Sequence, residues 1–289
     1  MLLRACMQDI DALRLRSAYA SSLSGVEGIG ITMSTLLIAH RGASREAPEN
    51  TLAAFGLAWQ QGADGIEADF RLTRDGRVVC LHDASTGRTA GVDMAVAEAS
   101  LDELKQLDVG RWKGARWQGE RIPTLEEVLD RLPAGKRLFI ELKSGPEIIE
   151  PMRRILTAGN VPVELLRLLA FDAQLVARLK EQLPGIRVCL NLDYRWSLRT
   201  RSWSPSRAEI QATLEQSGAD GLSSQAHGLL DAQFVAELHR SGKEVHVWTV
   251  DSARSAGHYR DLGVDSIMTN RPGWLRGRLI TEGSGGCGR

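Results

Sequence analysis

Glu67 and Asp69 stand two residues apart in the run GIEADFRL, and Glu141 and Lys143 repeat the spacing in RLFIELK. Side chains two apart on a strand share a face, so each pair points one way. Two like charges facing inward are costly unless something positive lies between them. Three carboxylates on neighbouring strands make an all-oxygen site suited to one hard divalent cation, Mg²⁺ or Ca²⁺. A single E-x-D would favour the plainer reading, an ion-pair cluster of Glu67, Asp69, Lys143 and Arg41. The E-x-K on the next strand and two nearby histidines shift the balance to a site.

His40 ends the apolar stretch LLIAH, and His82 closes VVCLHD. Two imidazoles that reach one substrate from different directions suit base and acid roles near neutral pH. Arg41 suits a planar, bidentate grip on phosphate or carboxylate, its plain alternative being a surface ion pair. PENT (48–51) reads first as a helix start with Asn50 or Thr51 as cap, and Glu49 and Asn50 as braces of the His40 loop. His227, His239, His246 and His258 carry no such context and read as packed or solvated residues.

The elements that must hold these residues follow from the periodicity. Apolar strands are expected at 36–40, 65–72, 137–143, 166–171, 187–192, 220–225, 244–250 and 265–270. Helical patterns separate most of them, the signature of a parallel α/β sheet. Thr124 with Glu127, and Ser100 with Glu103, form capping boxes. Gly62, Gly218 and Gly263 follow helical stretches where a left-handed residue is wanted. Eight strands with intervening helices point to a TIM-type (β/α)₈ barrel, whose chemistry lies at the C-terminal strand ends. RLTRDGRVVCLHD (71–83) leaves no room for a helix, and Asp75-Gly76 marks a hairpin that returns to His82. This hairpin and a small insertion at about 84–121 are expected over the C-terminal face as lids.

The bulk numbers bound the function. With 289 residues, 43% of them apolar, the chain can bury a sizeable core. Lys plus Arg and Asp plus Glu are 36 each, so charge gives no support for a nucleic-acid partner. No apolar run approaches the ~20 residues of a membrane span, and the N-terminus, broken by Asp9, Asp11, Arg14 and Arg16, lacks the apolar stretch of a secretory signal. The expected location is the cytoplasm. Cys6, Cys80, Cys189 and Cys287 are scattered, and Cys80 and Cys189 read as buried free thiols. Residues 1–33 look like a flexible extension or the product of a misplaced start codon. Residues 34–280 form the expected barrel and 281–289 a flexible tail. The sequence sets no oligomeric state.

AHRG, PENTLAAF, GIEADFRLTRDGRVVCLHD, IPTLEEVL, FIELK, VWTV and IMTNRP, in this order over about 36–275, resemble the glycerophosphodiester phosphodiesterase family, most nearly its short cytosolic bacterial type. The resemblance implies a TIM-type barrel and metal-dependent hydrolysis of small-molecule glycerophosphodiesters to sn-glycerol 3-phosphate and an alcohol. It implies that His40 and His82 are the catalytic pair, His40 as base and His82 as acid. Glu67, Asp69 and Glu141 would be metal ligands, with Arg41 and Lys143 near the phosphate. Two stretches depart from the family pattern. After His82-Asp83, Ala90 and Asp93 stand where Thr and Gly are frequent, and 193–209 has no clear counterpart. An alternative within the same chemistry is lysophospholipase D-type hydrolysis, for which Trp112, Trp117, Trp196 and Trp203 could supply an apolar entrance. A non-catalytic phosphate-binding module would have lost a histidine or a carboxylate, and none is lost.

Overall fold

A computed structural model describes residues 35–159, 161–199 and 201–283. Strands β1 (Leu36–His40), β2 (Gly65–Leu72), β4 (Arg137–Leu142), β5 (Leu166–Ala170), β6 (Arg187–Leu192), β9 (Gly221–Gln225), β10 (Glu244–Trp248) and β11 (Ser266–Thr269) pair side by side, all parallel. Pairing of β1 with both β11 and β2 closes the sheet into the expected barrel. Several strands end one or two residues short of the expected bounds, the usual scatter at element ends. The 1–33 extension lies outside the described residues. The last helix, Pro272–Gly283, runs past the boundary expected at 280.

Strand β3 (Val78–Cys80) folds back antiparallel on β2, pairing Phe70 with Cys80. The turn needs a left-handed residue, and Gly76 supplies it at φ 74. The insertion that follows has its own small core, including Val79, Leu81, Val96, Leu104, Val109 and Ile122. It reaches the loop after β1 through Lys113 Nζ, which donates to the Ser44 carbonyl, and Arg116, which donates to the Glu46 carbonyl. A second hairpin, β7 (Arg195–Ser197) with β8 (Ser202–Ser204), occupies the stretch without a family counterpart. It leans on the barrel where Trp203 meets the ring of His227, which stacks on Tyr194.

The outer helices bury their apolar stripes against the strands. Thr51 caps Leu52–Gln60, and Thr124 and Glu127 form the capping box of Leu125–Asp130, which buries Leu125, Val128 and Leu129. Truncating one such buried leucine to alanine costs about 2–5 kcal/mol. Inside the barrel the two-residue period stacks side chains in layers. Ile38, Phe139, Leu169, Cys189 and Met268 form a buried cluster there. Two residues further along the chain from four of these stand His40, Glu141, Phe171 and Asn191, which line the site.

Candidate active site

Register brings the expected residues together. His40 pairs in register with Glu67, and Asp69 with Glu141. Ligand-capable oxygens of Glu67, Asp69 and Glu141 lie within 4.8 Å of one another, and all three residues are buried. His40, Arg41, Glu67, His82, Glu141 and Lys143 line one side of a cavity of about 200 Å³.

The turn after β1 is strained in a purposeful way. Arg41 has φ 56, a conformation few side-chain-bearing residues adopt, and Gly42 follows at φ 80. A Cβ on Gly42 would meet backbone atoms of Ala54 at 2.7 Å, so only glycine lets this turn lie against the helix Leu52–Gln60. The result aims the Arg41 backbone N–H at Glu67 Oε2, 2.9 Å away. Its guanidinium meets Glu49 at 3.0 Å and Asp69 at 3.2 Å. Lys143 Nζ contacts Glu141 and lies 3.3 Å from Asp69. The ion-pair cluster weighed against a metal site is thus physically present, and its members are the same residues.

Charge explains how the acids sit. Burial, with the charges of Asp69 and Glu141, pushes the Glu67 carboxyl well above the usual carboxylate range. Burial would lift Asp69 too, but Arg41 and Lys143 outweigh it and hold this carboxyl low. Burial and Asp69 raise Glu141 to about 7 despite Lys143. Glu67 Oε1 is buried without a hydrogen-bond partner among the described residues. An orphaned carboxylate oxygen beside two further acids fits a hard divalent ion, which takes oxygen ligands and neutralises their repulsion.

The histidines differ in their support. His40 Nδ1 lies 2.8 Å from Asn270 Oδ1, and burial, with Arg41 beside it, lowers its pKa to about 4. His82 Nδ1 lies 2.7 Å from Asp83 Oδ1. Burial lowers the His82 pKa as well, opposed by Asp69 and by the Asp83 hydrogen bond. Arg71 donates to the carbonyls of His82 and Lys143 and so ties the returning hairpin to the end of β4.

The expected braces are in place and extend further. Asn50 donates from Nδ2 to Asp69 Oδ2 at 2.8 Å and accepts from the Asp69 N–H. Arg88 bridges Asp83 and Glu49, so His82 and Arg41 share one chain of ion pairs. The sequence reading assigned no role to Asn270, Asp83, Arg88 or Asn191. Asn191 had a usable signal: a polar residue at an inward position of an otherwise apolar strand.

A second group of ligand-capable side chains, Cys189, Glu244 and His246, also gathers within 4.8 Å. Arg167 holds both Glu244 oxygens, at 2.7 and 2.9 Å, and His246 Nε2 adds a contact at 3.2 Å. These partners use the acceptor capacity of Glu244, so the group is an internal ion-pair network. His246, whose direction the strand alternation left open, is buried, with Nδ1 2.8 Å from Ser266 Oγ.

Residues 40–274 match the sequence profile of the Glycerophosphoryl diester phosphodiesterase family. The chain is 33% identical over 251 residues to a glycerophosphodiester phosphodiesterase of Caldanaerobacter subterraneus subsp. tengcongensis, covering 83% of this chain and 96% of the relative. A phosphodiesterase of Oleispira antarctica, solved in complex with the product sn-glycerol-3-phosphate, superposes with TM-score 0.74 at 30% identity over 86% of this chain and 97% of that one. A glycerophosphodiester phosphodiesterase of Agrobacterium tumefaciens superposes with TM-score 0.69 at 26% identity, over 84% and 99% of the two chains.

Proposed function

The chain belongs to the glycerophosphoryl diester phosphodiesterase family, and from that premise we propose that it hydrolyses glycerophosphodiesters to sn-glycerol 3-phosphate and an alcohol with one divalent cation, Mg²⁺ or Ca²⁺. One observation carries the reading: His40 and His82 line a single cavity with the acidic cluster and lean at Nδ1 on unlike partners, an amide and a carboxylate. Glu67, Asp69 and Glu141 hold the cation, which when bound supplies positive charge to the phosphate oxygens. Arg41 and Lys143 add fixed positive charge beside the diester. His40 takes a proton at Nε2 from the nucleophile, which is water or the substrate's own hydroxyl. In the second case the reaction takes two steps, and water opens the resulting cyclic phosphate to sn-glycerol 3-phosphate. His82 gives a proton from Nε2 to the leaving oxygen.

We assign the activity to residues 34–280 and the protein to the cytoplasm. Buried free thiols at Cys80 and Cys189 support that location. Among the described residues no helix is long and apolar enough to cross a membrane. A second reading is hydrolysis of the same bond in lysophospholipids. Exposed Trp196, Leu198 and Trp203 on the β7–β8 hairpin, which follows a C-terminal strand end, favour it. The cavity favours the first reading, because about 200 Å³ is below the usual range for larger ligands. Turnover of glycerophosphocholine with and without EDTA tests the proposal. Release of sn-glycerol 3-phosphate that stops on chelation and returns with Mg²⁺ or Ca²⁺ is the expected result; no release under any condition defeats it.

A further inference from the structure

The cavity is lined by two unlike arcs of the barrel, one from β1, β2, β4 and the residues just after β1, β3 and β4, the other from β5, β6, β10, β11 and the residue after β5. Every residue named on the first is ionisable. The second is apolar, formed by Leu169, Phe171, Trp248 and Met268, with one exception, Asn191. Asn191 lies two residues beyond Cys189 on β6, so its side chain shares the barrel interior with Cys189, and it lines the cavity as Glu141 does. The residue is 3% exposed, yet its Oδ1 has no hydrogen-bond partner among the described residues. Its register partner on β9, Ser223, is fully buried and its Oγ also has none. Buried polar groups are almost always paired, so an amide oxygen without a partner on a cavity lining calls for a ligand.

Resting on the proposed activity, we propose that Asn191 is a substrate-binding residue whose carboxamide pairs with the terminal hydroxyl of the glycerol moiety. The phosphate belongs with the cationic and metal-binding wall, so an esterified group must lie across the cavity. The leaving alcohol varies and has to depart, which suits the solvent side. Glycerol is the part common to all such diesters, and it suits the enclosed side. Its carbon chain fits against Leu169, Trp248 and Met268, and its hydroxyls need a polar partner there. A hydroxyl both donates and accepts, so it satisfies Asn191 whichever way the amide is turned. Leu at this position would fill similar space and pair with nothing.

A pocket built to pair with a hydroxyl rejects the analogue lacking it, because the buried polar group is then left alone. The test uses the full chain with Mg²⁺ or Ca²⁺ and three choline phosphodiesters: of glycerol, of propane-1,2-diol and of propane-1,3-diol. The native chain should turn over the glycerol diester about 10–100-fold faster, by kcat/KM, than the 1-phospho diester of propane-1,2-diol, which keeps the hydroxyl able to attack the phosphate and lacks only the terminal one. The propane-1,3-diol diester reports separately on that attacking hydroxyl. In Asn191→Leu the ratio of glycerol to propane-1,2-diol diester should collapse toward one, chiefly by loss on the glycerol diester, and Asn191→Gln should restore part of it. A native chain that treats these two diesters alike overturns the inference without any variant. So does an Asn191→Leu variant that slows all three equally, the behaviour of a purely structural residue. Absence of turnover on every diester is a different result: it defeats the proposed activity itself and the inference with it.

Discussion

Asn270 Oδ1 lies 2.8 Å from His40 Nδ1 while the Nδ2 of the same carboxamide donates to Asp251 Oδ2, also at 2.8 Å. A carboxylate only accepts, so Asp251 fixes the amide with its oxygen toward the imidazole. That oxygen can only accept, from the Ser44 hydroxyl as well as from the ring. The proton therefore sits on Nδ1, and the lone pair is on Nε2, which faces Glu67 at 3.9 Å. At His82 the Nδ1 partner is the Asp83 carboxylate, which stabilises an imidazolium. These unlike partners suit the proposed roles, His40 taking a proton and His82 giving one.

His40→Ala and His82→Ala should each cut kcat by roughly 10²–10⁴-fold with metal affinity nearly unchanged. A p-nitrophenyl diester leaves without needing a proton, so it should rescue His82→Ala and not His40→Ala. Rescue of His40→Ala instead would exchange the roles. If excess metal restores either variant, that histidine is a ligand.

Asp83 offers a test through pH. Its carboxylate raises the His82 pKa against burial, so Asp83→Asn should lower it. An acid must be protonated to act. The alkaline limb of the kcat–pH profile should therefore move to lower pH in the variant, while the acid limb, set by His40, stays. A shift of the acid limb alone would tie Asp83 to the other proton.

Strand periodicity and capping residues made the barrel legible in the sequence, because both depend on local spacing. GIEADFRL and FIELK expose the acids for the same reason: charge on the inner face of an apolar strand must be paired or bound, and the two-residue period reveals which face it occupies. What holds those residues was hidden. Asn270 reaches His40 across 230 positions, and Arg88 joins Asp83 to Glu49 only because the insertion folds over the β1 turn. Such contacts depend on closure of the barrel, which no local pattern encodes.

Removing metal should abolish turnover without unfolding the barrel, and the pH dependence of stability should reveal the acids. Burial and Asp69 lift Glu141 from an ordinary 4.5 to about 7. A carboxyl whose folded pKa is raised favours the folded state below its unfolded value, and that contribution is lost as pH rises through the folded one. Glu141 therefore pulls the metal-free melting temperature down as pH rises from about 4.5 through about 7, His40, lowered by burial to about 4, pulls it up, and Mg²⁺ or Ca²⁺ should raise it most at and above pH 7. Glu141→Gln should make the metal-free melting temperature rise more with pH than in the native chain while abolishing turnover. A melting temperature indifferent to metal at pH 8 would count against the cation.

Arg167 and Glu244 close the other end of the barrel, and their loss should separate stability from catalysis. Arg167 is 8% exposed and bonds Glu244 through two nitrogens. Burial opposes ionisation of Glu244, but His246 and Arg167 prevail and hold its carboxyl far below the usual range. The stabilisation is therefore present at neutral pH and lost only in strong acid, as pH falls below the ordinary carboxylate value. Glu244→Gln leaves the Arg167 charge buried without its counter-ion and should cost about 3–5 kcal/mol in urea unfolding at pH 7. The pair lies at the N-terminal strand ends, away from the cavity, so the kcat of the folded variant should stay near the native value. A loss of kcat as large as that of a histidine variant would mean that the floor of the barrel takes part in the reaction.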